Sequence, residues 1–139
     1  MKMVVCTLLI ALGLLVGDAA RAAPATDASQ IQTLMKGIWE RPGSRLDIDP
    51  ITVQETHAVA GWTQGAHGGR ALLRRVQGKW EVVLCSGDAL LEEKFLQEAG
   101  VTAPDAKLLA TRTKVAESRL PKARVGQFSR FQGIVRMKP

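Results

Sequence analysis

The chain has 139 residues, of which 46% are hydrophobic and 4% aromatic, and its formal net charge is +6. Its length suits one domain with one hydrophobic core and excludes two. The positive charge can attract anionic lipid or nucleic acid, but no aromatic residues are interleaved with the basic ones to stack on bases, so we expect no nucleic-acid partner.

The N-terminus has the three parts of a secretory signal. Lys2 is a positive start, residues 4–16 are almost wholly apolar, and Ala20-Arg21-Ala22 presents small residues to a signal peptidase. The apolar run has 13 residues, whereas crossing a bilayer takes roughly 20. We predict a signal peptide over 1–22, one soluble domain over 23–139, a periplasmic location, and no transmembrane segment after cleavage.

A helix is the first element expected after the signal. Apolar residues recur at the spacing of one helical face, at Ile31, Leu34, Met35, Ile38 and Trp39. Thr26, Asp27 or Ser29 can cap its start, and Pro42-Gly43 ends it.

Four strands follow, separated by short turns. They are predicted over 50–54, 58–64, 70–76 and 80–85. Trp80 opens the last of these, which is rich in Val and Leu, and is expected in the core. Short turns between neighbouring strands imply antiparallel pairing.

The C-terminal part reads as helical and basic. Helices are predicted over 89–99 and 102–120, and Pro121 ends the second one. A short helix near Phe128 and an edge strand over 134–137 are both compatible with the remaining pattern. From Lys107 to Lys138 there are nine basic residues and one acid, Glu117.

This order of elements predicts an α+β domain. We expect an N-terminal helix, a four-stranded antiparallel meander, and C-terminal helices, with the helices packed against one face of the sheet. Cystatin-like and NTF2-like sheets are the closest architectural analogies. Such an analogy concerns the fold and does not determine a function.

The turns also predict which residues face one another. A turn centred on Gly78 sets Cys85 opposite Ala71, and a turn between Ala66 and His67 sets Ala71 opposite Trp62. Trp62, Ala71 and Cys85 should then form one row, with Val83 on the same side as Cys85 and Val82 and Leu84 on the other. The remaining polar residues expected at this end of the sheet are His67, Arg70, Ser86 and Asp88.

Three interpretations of this cluster stand side by side. It can be a packed sheet end, in which Cys85 fills the core and Asp88 caps a helix. It can be a soft-metal site, because the thiolate of Cys85 and the imidazole of His67 are good copper ligands. It can also be a cysteine catalytic centre with His67 as base and Asp88 as its orienting group, although no local nucleophile signature supports it.

Two stretches carry a family resemblance: residues 62–74, WTQGAHGGRALLR, and residues 78–88, GKWEVVLCSGD. Together with the leading helix and the tail, they resemble the small bacterial copper uptake system-associated proteins over most of the chain after the signal. Within these stretches Trp62, Arg70, Cys85 and Asp88 match the pattern and His67 does not. The resemblance implies a link to periplasmic copper handling and brings no catalytic or metal-binding residue set with it.

These observations predict a non-enzymatic periplasmic accessory protein of copper uptake or homeostasis. It would bind a partner, such as a copper-transport protein of the periplasm or inner membrane, or hold copper transiently. Copper is the one cofactor that the resemblance suggests. The alternative is a small secreted ligand-binding or enzyme-like module with a pocket near Trp62 and Cys85.

Overall fold

The structure is a computed structural model that describes residues 25–138, so the predicted signal segment lies outside the described residues. Its elements in chain order are α1 (Asp27–Trp39), β1 (Asp47–Gln54), β2 (His57–Gln64), β3 (His67–Val76), β4 (Lys79–Ser86), a 3₁₀ turn (Asp88–Leu91), α2 (Glu93–Glu98), α3 (Ala103–Glu117), α4 (Lys122–Ser129) and β5 (Ile134–Arg136). Across this described part, none of the helices combines the length and the apolar character needed to cross a membrane.

Helix α1 confirms the predicted leading helix. Thr26 is its N-cap and accepts a hydrogen bond from the backbone N–H of Ser29, which satisfies one of the free donors at the helix start. Ile31 and Met35, four residues apart, are its buried side chains. The apolar stripe therefore faces the sheet, as its spacing predicts.

The sheet is an antiparallel meander with the strand order β1-β2-β3-β4-β5. The four predicted strands are present, but the expected total of four is wrong, because the C-terminal segment adds β5 beside β4. Cys85 of β4 lies opposite Val135 of β5. The tail thereby covers the strand edge next to Cys85.

The helices cover both faces of the sheet, and the expectation of one covered face is wrong. Helix α1 packs with Ala58, Ala71 and other core residues on one face, whereas α2 and α3 pack with Val59 and Leu72 on the other. Successive side chains of a strand point to opposite faces. Because β2 and β3 carry apolar side chains on both faces of the sheet, each face needs a layer that covers it. Trp80 is 7% exposed in the α1-side core, which confirms its predicted burial.

The hairpin register agrees with the prediction for one pair of strands and differs for the other. Ala71 lies opposite Cys85, as expected. Trp62 lies opposite Gly69, and Ala60 is the residue that faces Ala71. The predicted row was wrong by two positions because the turn consists of Gly65 and Ala66 alone. A shift of two residues preserves the face of every side chain, so Trp62 still shares a face with Cys85.

Strand β4 contains an irregularity that the sequence pattern did not predict. Leu72 pairs with Leu84 but Leu73 pairs with Val82, so Val83 is an extra residue on β4. An extra residue of this kind reverses the alternation of side chains along the strand. As a result Val82 packs on the same face as Cys85 and Val83 on the opposite face, which corrects the expected arrangement of both.

Candidate functional site

A cavity of about 190 Å³ lies on the α1 face of the sheet, at the end where β2 and β3 meet their turn. Its walls are mostly apolar and come from five parts of the chain. The lining residues are Trp39, Leu46, Trp62, Gln64, Cys85, Phe131, Val135 and Met137. We call this space the Trp62 cavity.

A glycine makes room for the aromatic wall of the Trp62 cavity. Gly69 lies directly opposite Trp62 in the β2-β3 ladder. A Cβ atom on Gly69 would lie 2.8 Å from the Phe131 ring and 3.0 Å from the Trp62 ring. With no side chain there, the two rings meet edge to face with centroids 5.9 Å apart, an arrangement that aromatic quadrupoles favour.

Two sulfur-bearing side chains line the same cavity. Cys85 comes from β4 and is 6% exposed, and Met137 follows β5, where its backbone N–H donates to the Val83 carbonyl at 3.0 Å. Burial raises the pKa of the Cys85 thiol to about 11, because the apolar surroundings penalise the thiolate. The thiol is therefore protonated at neutral pH.

The indole nitrogen of Trp62, a residue that lines the cavity, is a buried polar atom without a partner among the described residues. Trp62 Nε1 is buried and makes no hydrogen bond to any described residue. An indole N–H is a donor and nothing else. A buried donor without an acceptor costs free energy that a ligand with an acceptor would recover.

Gln64 holds one wall of the cavity in place. Its side-chain amide donates to the Trp39 carbonyl at 3.1 Å and to the Ser44 carbonyl at 3.0 Å. These bonds tie the loop after α1 to the end of β2. Leu46, which follows that loop and lines the cavity, is 1% exposed. This wall of the cavity is therefore held by hydrogen bonds to the backbone of the loop as well as by side-chain packing.

The opposite face of the sheet carries a separate polar cluster around Arg70. The Arg70 side chain is fully buried and forms two hydrogen bonds to the Glu117 carboxylate, at 2.7 Å and 2.8 Å. It also donates to Asp88 at 3.0 Å, and Asp88 accepts a hydrogen bond from Ser129 at 2.6 Å. The Phe128 ring lies 5.5 Å from the guanidinium carbon.

Arg70 remains charged in this cluster. Burial by itself lowers the pKa of Arg70, but the hydrogen bonds and charges of Glu117 and Asp88 outweigh it, so the net shift is upward. The cluster joins β3, α3 and α4 through satisfied polar groups. Its chemistry is that of a structural ion pair between the sheet and its covering helices.

The structure divides the predicted site residues into two groups. Trp62 and Cys85 share the cavity, while Arg70 and Asp88 lie together on the other face. His67 is exposed at the start of β3 and is not a cavity-lining residue. It lies four residues before Ala71, the residue that faces Cys85. At the rise of a β-strand, four residues span about 13 Å.

This division bears on the metal and catalytic interpretations. Across residues 25–138, no three His, Cys, Asp or Glu side chains lie close enough together to hold a metal. Cys85, His67 and Asp88 are not assembled as a nucleophile, a base and its orienting group. Met137 brings a thioether, a donor that suits Cu(I), to the cavity that Cys85 also lines.

Sequence reasoning missed Phe131, Met137 and Glu117 as partners of these sites. Phe131 and Met137 lie in the C-terminal tail, for which the sequence pattern allowed both a short helix and an edge strand. The spacing of Val135 and Met137, two residues apart, was the one sign that these two side chains share a face. Glu117 stood out as the single acid of a basic segment. Its isolation was a signal that it pairs with a buried cation.

No family model, curated protein or solved structure matches this chain.

Proposed function

We propose that the protein is a non-enzymatic periplasmic accessory protein of copper uptake or homeostasis, and that the Trp62 cavity is its binding site. The observation that carries this proposal is that the thiol of Cys85 and the thioether of Met137 line one mostly apolar cavity. Thiolate and thioether sulfur are the donors that Cu(I) prefers. The indole of Trp62 adds an aromatic face that attracts a cation.

The raised thiol pKa determines how such a site would behave. Cu(I) binds the thiolate and must displace the proton of Cys85, whose pKa is about 11. The apparent affinity should therefore rise about tenfold for each unit by which the pH increases, until the pH reaches that value. Competition from the proton weakens binding at neutral pH, which suits a protein that holds copper transiently and passes it on. The recipient would be a copper-transport protein of the periplasm or inner membrane.

Competitive titration against a Cu(I) chelator under anaerobic conditions tests the copper proposal. We expect Cys85→Ser to lose most of the affinity and Met137→Leu to lose part of it. Met35→Leu is the matched control, since Met35 is a buried methionine of α1 that does not line the cavity. His67→Ala should bind as the parent does. Equal affinity in the parent and in a folded Cys85→Ser variant would end the direct-binding model.

The compartment is tested separately from copper binding. Intact mass of the protein purified from the periplasmic fraction should correspond to a chain that begins at Ala23. A chain that retains Met1 to Ala22, or protein confined to the cytoplasm, would contradict the signal-peptide prediction.

The unpartnered indole of Trp62 favours a second candidate, a small organic ligand that carries a hydrogen-bond acceptor. The cavity of about 190 Å³ is somewhat larger than an engineered apolar cavity of roughly 150 Å³ that takes up benzene. Acetophenone and ethylbenzene are matched probes, since they differ in one carbonyl oxygen. Preferred binding of acetophenone, with a shift of the Trp62 indole N–H resonance, would support this candidate. Equal binding of both probes would contradict it.

A further inference from the structure

The outer face of α3 exposes two apolar side chains in one line. Leu108 is 43% exposed and Val115 is 49% exposed. They are seven residues apart, which places them on nearly the same side of the helix, about 10 Å apart along its axis. The inner face of α3 is occupied by residues that pack on the sheet and α2, among them Ala106, Leu109 and Ala110.

Two basic residues flank this apolar line on one side. At 100° per residue, Lys107 and Lys114 lie beside Leu108 and Val115, and both are exposed. Arg112 lies on the other side of the line and donates to the side chain of Gln54 in β1. We call Lys107, Leu108, Lys114 and Val115 the α3 outer face.

The carboxylates of the same segment are directed elsewhere. Asp105 accepts a hydrogen bond from Gln54 of β1 at 3.0 Å, and Glu117 is buried against Arg70. On the described helix, the α3 outer face thus contains cations and no acid. Helix α2, which packs against α3, carries exposed Glu93 and Glu98, so the cationic surface ends on that side.

We propose that the α3 outer face docks on an anionic phospholipid surface. The cations match the negative charge of phosphate headgroups, and the apolar line matches the boundary between headgroups and acyl chains, where interfacial helices insert. Nucleic acid also presents phosphates, but its backbone would leave Leu108 and Val115 in water. The proposal does not depend on copper, and it would hold the Trp62 cavity near a membrane-embedded partner.

Vesicle co-sedimentation tests the proposal with vesicles of phosphatidylcholine alone and vesicles that also contain phosphatidylglycerol. The parent should bind the vesicles that contain phosphatidylglycerol and should not bind the vesicles of phosphatidylcholine alone. Lys107→Glu/Lys114→Glu should weaken this binding by about tenfold or more, because attraction to phosphate becomes repulsion. Lys79→Glu/Lys94→Glu is the matched control, with the same change in net charge at exposed positions on other elements, and should bind nearly as the parent does.

A second pair of variants separates insertion from charge alone. Leu108→Ser/Val115→Ser should also weaken binding to anionic vesicles severalfold, whereas Val76→Ser, a similarly exposed position on β3, should not. The parent and the variants have the same N-terminus. Any contribution of residues 4–16 to vesicle binding is therefore the same in all of them and cancels when a variant is compared with the parent. Circular dichroism confirms that each variant is folded. Unchanged binding of the serine pair, binding to neutral vesicles, or preference for duplex DNA over anionic vesicles would overturn the proposal.

Discussion

Arg70 of β3 and Glu117 at the end of α3 form a doubly hydrogen-bonded ion pair between the sheet and its covering helix. The Nε–Oε1 and Nη2–Oε2 distances are 2.7 Å and 2.8 Å. The Arg70 side chain is 0% exposed and that of Glu117 is 5% exposed. Both charges have lost their hydration, so each depends on the other.

Glu117→Gln should strongly destabilise the fold. Removing one charge of a buried pair leaves the other without full compensation, which costs about 3–5 kcal/mol. Asp88→Asn is the comparison, because the Asp88 side chain is 67% exposed and an exposed partner contributes about 1 kcal/mol or less. Urea denaturation measures both free energies of unfolding. Similar losses in the two variants would contradict the special role of the buried pair.

Acid should destabilise the protein partly through Asp88. The hydrogen bond from Ser129, opposed by burial and supported by Arg70, lowers the pKa of Asp88 below its ordinary value of 3.8. This contribution is fully present above pH 3.8 and is lost as the pH falls through the lower folded-state pKa, because the unfolded state binds the proton first. Denaturation series at several pH values should show a shallower acid decline for Asp88→Asn. Parallel curves for parent and variant would refute the assignment.

Gly69→Ala should destabilise the protein and disturb the Trp62 cavity. The new methyl group would lie 2.8 Å from the Phe131 ring, and forcing extra volume into a packed site typically costs about 1–3 kcal/mol. Gly126→Ala is the matched control. It lies in α4 with nothing within 4 Å of the new atom, and should stabilise the helix by about 1 kcal/mol. A neutral Gly69→Ala would show that Phe131 does not pack as described.

Cys85 should react slowly with thiol reagents in the native state. Its pKa of about 11 and its burial leave little accessible thiolate at neutral pH. We expect the alkylation rate with iodoacetamide to keep rising above pH 9, and urea-unfolded protein to react much faster at pH 8. A native rate that equals the unfolded rate would mean that the cavity is open to solvent. A rate that levels off near pH 7 would indicate an activated thiolate.

The sequence alone determined the elements of the core. The spacing of Ile31 and Met35 predicts α1, and the Gly78 turn pairs Ala71 with Cys85. These features could be predicted because helix periodicity and hairpin pairing depend on residues close together in the chain. The prediction that Trp62 and Cys85 share a face was also correct, since the register error was an even number of residues.

The tertiary structure decided what surrounds those residues. Arg70 is next to Ala71, the residue that pairs with Cys85, yet its side chain lies on the opposite face because alternate strand residues point in opposite directions. Asp88 follows β4 in the 3₁₀ turn and contacts Arg70 there. The extra residue Val83 reversed the alternation expected on β4. Phe131 and Met137 complete the cavity only because the tail returns to pair with β4. Such long-range contacts depend on how layers pack, and local patterns do not encode them.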